Sequence, residues 1–140
     1  MLAISDNDFE QMISTALDSL PEKYVAGLQN VAIVYEDEPT PEQRKKLKLR
    51  NNESLYGLFE GTPRTSRMGY VSLPDKITVF KLPMMHSSSS IIELQEQVRH
   101  TLWHEIAHYF GLNHADIAKL ESTQPGNEST RAATRRSPNI

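Results

Sequence analysis

Cysteine is missing from all 140 residues. That absence excludes disulfide frameworks, thiolate zinc sites and cysteine nucleophiles. No apolar run approaches the roughly 18 residues that a membrane-spanning helix needs. Residues 1–7 show no basic region followed by an apolar stretch, so no signal peptide is expected. A surplus of positive charge is lacking too. Fifteen Lys and Arg stand against 18 Asp and Glu, for a net charge of −3, which gives no general electrostatic case for nucleic acid. There are no internal repeats. The 38% of hydrophobic residues suffices for one modest core but not for two. The expectation is a soluble, cytoplasmic protein with one domain over residues 1–121. A polar, flexible tail follows over 122–140, where almost nothing is available to bury.

Ser5 to Leu20 reads as a first helix, with Phe9, Met12, Ile13, Ala16, Leu17 and Leu20 on one face of a 3.6-residue period. Ser5 gives a start signal and Pro21 a stop. Val31 to Tyr35 is a β-branched run and reads as a buried strand. Glu36 to Pro41 reads as a loop. Gln43 to Arg50 is locally basic and is expected to be a solvated helix or loop face rather than a binding patch. Leu55–Phe59 and Ile77–Leu82 look like two more strands, joined by a long exposed connection over Gly61 to Asp75. Ser90 and Glu93 form an S-x-x-E capping box before the longest helical pattern. That helix runs to Phe110, with Ile91, Leu94, Val98, Leu102 and Tyr109 in one stripe, and Gly111 stops it. Asp116 to Leu120 is expected to add a turn or two of helix.

One constellation carries chemistry. The long helix reads His104-Glu105-Ile106-Ala107-His108 and continues to Gly111 and His114. Residues four apart sit about 40° apart around the axis and one turn up, so His104 and His108 can reach one ion. Zinc–nitrogen bonds of roughly 2.0–2.1 Å fit that arrangement. Glu105 projects about 60° from His108, near the ion without being forced to ligate it. Gly111 permits a sharp turn, and three residues span about 10 Å, so His114 can swing back as a third ligand. Three neutral imidazoles leave zinc an open position, where a bound water's pKa drops toward roughly 7. Glu105 would take that water's proton as general base. Chance produces the five-residue pattern less often than about once in ten thousand chains of this composition.

This HExxHxxGxxH motif resembles that of the zincin metallopeptidases, in the elongated form used by metzincins. More closely, the chain resembles the small bacterial minimal-zincin family, over roughly residues 9–121. The segments that carry the resemblance are Leu20-Pro21, Asn30–Pro39, Leu55–Arg67, Leu73–Pro83 and the motif helix. The resemblance implies an α+β fold. It would comprise an N-terminal helix, a small three- to four-stranded mixed sheet, a long active-site helix and a short C-terminal helix. It also implies one zinc ion and a peptide or protein substrate. Many members carry aspartate at the third ligand position, where this chain has His114. All five methionines precede the motif, so the methionine turn of metzincins is lacking here.

Other residues have plainer readings. His100 is expected to be an exposed polar helix residue, the alternative being to orient a ligand or line the cleft. His86 is expected in a loop. Asp116 is an alternative ligand to His114, or an acceptor that holds its ring. Trp103, Ile106 and Phe110 are expected in the core. Arg64 and Arg67 read as solvated loop charges rather than contacts to a substrate carboxylate. In zincins a sheet edge strand holds the substrate by strand addition. Either Leu55–Gly61 or Ile77–Leu82 fits that role. Three functions follow: a zinc peptidase using His104, His108, His114 and Glu105; a zinc-binding module without turnover that stabilises a small fold or docks a partner; or a metal-free partner-binding protein.

Overall fold

The computed structural model describes residues 2–61, 74–112 and 114–121, with the backbone alone for 114, 120 and 121. Residues 62–73 of the expected long connection, with Arg64 and Arg67, and the 122–140 tail therefore lie outside the described residues, while Asp75 already belongs to a strand.

Helix α1 (Asp6–Ser19) starts where Ser5 Oγ accepts from the Asp8 amide at 3.1 Å. Two acids in its first turn suit the positive end of the helix dipole. Phe9, Ile13 and Ala16 are its buried face. A short α2 (Glu22–Ala26) follows Pro21 and leads to β1 (Val31–Glu36). Helix α3 (Pro41–Lys46) is closed at its start by a full capping box. The Thr40 hydroxyl accepts from the Gln43 backbone amide, and the Gln43 side-chain Oε1 accepts from the Thr40 backbone amide. Strands β2 (Gly57–Glu60) and β3 (Asp75–Phe80) complete the sheet. Helices α4 (Lys81–Ser87), α5 (Ile91–Tyr109) and α6 (His114–Glu121) end the described chain.

The sheet is mixed, in the order β1-β3-β2. β1 runs parallel to β3, with Ile33 opposite Ile77, and β2 runs antiparallel to it, with Leu58 opposite Thr78. The fold is α+β, with three strands among the described residues. Ile77–Leu82 therefore does not supply an edge: its strand portion is β3, central among the described strands, while β2 is an outer one among them. β1 corrects a sequence expectation. All six of its residues are half-buried rather than buried, because among the described strands it too has a neighbour on one side only. Leu55 and Tyr56 precede β2 instead of belonging to it. Lys81 and Leu82 open α4, a helix the alternating pattern did not reveal.

The core gathers between α1, the sheet and α5, around Phe9, Ile77, Val79, Leu94, Trp103 and Ile106. Tyr24 packs edge-on against Trp103 and Phe110, at 5.2 and 5.3 Å between ring centroids. Ser90 caps α5 by accepting from the Glu93 amide at 3.1 Å. The expected reciprocal bond is displaced: Glu93 accepts from the Ser89 amide at 2.7 Å. Of the stripe foreseen on α5, Leu94, Val98 and Leu102 are buried, whereas Ile91 is exposed. No helix among the described residues is long and apolar enough to cross a membrane.

Candidate metal centre

Residues 100–107 of α5 are all buried, and the helix packs against α1 and against β2 and β3. This places polar side chains where water is scarce. His104 is buried and Glu105 is fully buried. The rings of His104 and His108 lie with centroids 4.8 Å apart and planes tilted by 45°. They therefore share one face, one turn apart, as their spacing predicts. The Nε2 atoms of both rings are shielded from solvent and take no hydrogen bond, although both residues make other contacts.

Glu105 is the more unusual group. Both carboxylate oxygens are buried and take no hydrogen bond. Desolvation pushes its pKa up to about 8, while the nearby Phe59 backbone N–H pulls weakly the other way without closing a hydrogen bond. A buried carboxylate without donors is costly, and native proteins usually satisfy such a group with water or an ion. The two imidazoles are nitrogen donors of the kind a divalent cation takes, and the carboxylate lies next to them in the chain.

β2 forms the wall opposite the helix. Its approach depends on Gly57. A Cβ there would fall 2.5 Å from Thr101 Cγ2 and 3.3 Å from Glu105 Cγ, so only glycine lets the strand lie against α5. Beside the site a pocket of about 290 Å³ opens between α3 and β2, and Lys46, Leu47, Phe59 and His108 are among its lining residues.

Helix α5 ends in a Schellman turn. The Leu112 amide donates to Ala107 O and the Gly111 amide to His108 O, each at 3.0 Å, with Gly111 at φ +74°. Helix α6 follows, and its first residue is His114. The side chain of His114 lies outside the description, and among the described residues no group of three or more His, Asp or Glu converges. Asp116, in the first turn of α6, is exposed.

The zincin-like metallopeptidase family model matches residues 28–124, more than half of the chain. The protein belongs to that family. The match begins after α1, so the N-terminal helix lies outside it. A similar solved structure is a conserved hypothetical protein from Thermo thermophilus. It is 17% identical, has a TM-score of 0.53, and the likeness covers 76% of this chain and 94% of that one. It supports the fold alone. No curated protein matches the chain.

Two histidines depart from expectation. His100, expected to be exposed, is buried at 2% exposure, because α5 packs against α1 as well as against β2 and β3. His86, expected in a loop, sits in the last turn of α4 and lines a separate pocket with Glu38 and Tyr56. Trp103 and Ile106 are core residues, and Phe110 is half-buried against the core. The roles of Gly57, the Phe59 amide and the α3 wall are not among the features that the motif and the hydrophobic pattern point to. A glycine inside a strand pattern is a signal of close backbone approach and marks the first of these. The other two depend on tertiary placement.

Proposed function

We propose that this zincin-like protein is a zinc-dependent metallopeptidase, with Glu105 as general base and His104, His108 and His114 as metal ligands. The observation that carries this reading is the buried, donor-less carboxylate of Glu105 beside two imidazoles on one helical face.

In this reading His104 and His108 would hold the ion from α5, with His114, three residues beyond the turn at Gly111, as the third ligand. When bound, zinc acts as a Lewis acid on a water and on the scissile carbonyl. Glu105 accepts a proton at one carboxylate oxygen and delivers it to the leaving amine. A neighbouring dication favours the ionised carboxylate, offsetting the desolvation that raises its pKa in the metal-free protein. Among the described strands β2 has β3 on one side alone, and its other edge would offer backbone groups for pairing with an extended peptide. Burial of Glu105 keeps bulk water away from the proton it carries.

The test is metal content and cleavage of a peptide library by the wild type and two variants. Glu105→Gln is expected to keep one equivalent of zinc and to lose cleavage by about 10²-fold or more. His108→Ala is expected to lose the metal. Wild-type cleavage rates in Glu105→Gln would overturn the general-base role. Stoichiometric zinc with an uncut library would leave a metal-binding module without turnover.

A further inference from the structure

The pocket beside His108 carries a charge pattern that the metal chemistry leaves unused. It holds one carboxylate, Glu60, and one ammonium, Lys46. The two are not equivalent. Glu60 Oε1 accepts from Gln43 Nε2 at 3.2 Å and faces Lys76 Nζ at 3.7 Å. Gln43 is itself buried and fixed by the Thr40 capping box. Glu60 is thus neutralised and held in place. Lys46 is exposed and makes no ion pair among the described residues.

The surroundings reinforce that cation. Between Glu42 and Glu53 stand Arg44, Lys45, Lys46, Lys48 and Arg50, in a chain whose net charge is −3. Arg44 is occupied, donating to Arg50 O at 2.6 Å and Glu53 O at 2.8 Å. It fixes the turn after α3 and leaves Lys46 as the cation that shares the pocket with His108. Were this stretch only a solvated helix face, its charges would sit anywhere around α3. Instead Lys46 and Leu47 line a cavity that reaches a metal-ligand candidate.

Resting on the peptidase reading above, we propose that Lys46 is a specificity-determining residue. The α3–β2 pocket takes an acidic side chain, Asp or Glu, of a peptide substrate lying beside the metal centre. Leu47 and Leu58 flank the methylene groups of that side chain, and the Lys46 ammonium meets its carboxylate. A solvent-exposed pair of this kind discriminates on the order of 5-fold at low salt and less as salt rises.

Binding tests this apart from turnover. Fluorescein-labelled octapeptides that differ only in one central residue, Glu, Gln or Lys, are titrated by anisotropy. The titrations use the full-length Glu105→Gln protein with one equivalent of zinc, with and without Lys46→Glu or Lys45→Glu. The Glu peptide should bind about 5-fold tighter than the Gln peptide. Lys46→Glu should invert the preference toward the Lys peptide. Lys45→Glu makes the same charge change outside the pocket lining and should shift affinity by no more than about 2-fold. Equal binding of the three peptides, no binding of any, or equal effects of the two lysine variants would overturn the proposal. Incubating the same peptides with the zinc-loaded wild type separates the two readings. Peptides selected by charge but left uncut sink hydrolysis alone, and peptides cut without charge preference sink the role of Lys46.

Discussion

Glu105 makes the metal-free protein lose stability as pH rises, and the size of the loss follows from its burial. The carboxyl is fully buried, and its pKa is pushed up to about 8, against an ordinary value of 4.5. Between those two pH values the folded chain keeps a proton that the unfolded chain has released. The folded state then binds more protons, so its stability falls with rising pH across that window and levels off above it. Each pKa unit corresponds to about 1.4 kcal/mol. At pH 7, some 2.5 units above the unfolded value and still below the folded one, the loss is about 3 kcal/mol. Glu105→Gln removes the titration while keeping the shape. Urea unfolding in the presence of chelator, at steps from pH 4.5 to pH 7, measures both proteins. Wild type minus variant should fall by about 3 kcal/mol across the series. Parallel profiles would show that Glu105 is solvated or hydrogen-bonded in the folded state and would refute the reasoning. Added zinc should narrow the gap most at the upper end, since a cation favours the charged carboxylate and binds only the folded arrangement.

Two further outcomes are expected. Gly57→Ala should cost about 2 kcal/mol, because its Cβ meets Thr101 Cγ2, and Thr101→Ser, which deletes that methyl, should recover more than half of the loss in a double-mutant cycle of chemical denaturation. Lys48 holds φ +56° at the end of α3, where the Leu49 amide donates to Arg44 O, so Lys48→Gly should raise stability by about 1 kcal/mol in the same assay.

Local rules made part of this molecule readable in advance. The Ser5 and Ser90 caps, the Gly111 stop and the shared face of His104 and His108 each depend on a few adjacent residues and a fixed helical period. Features that depend on distant partners were not readable. The position of β2 at the outside of the described strands is a matter of topology, and either candidate strand would have alternated suitably. His100 read as surface because its neighbours in sequence are polar, yet α5 packs against α1 and against β2 and β3. Helix α4 was hidden because Phe80 ends a strand with no intervening loop, and the alternation of Ile77–Phe80 seemed to continue through Lys81 and Leu82. The pocket wall at α3 joins a basic segment to a histidine some sixty residues later, a pairing that no local pattern encodes.

The turn that sends the chain from α5 to α6 is governed by handedness rather than room. A Cβ on Gly111 would have nothing within 4 Å, yet the backbone there sits at φ +74°. The position is in effect a request for a mirror-image residue. A chemically assembled chain with D-alanine at position 111 should keep the turn and lose unfolded-state freedom, whereas its L-alanine counterpart should strain it.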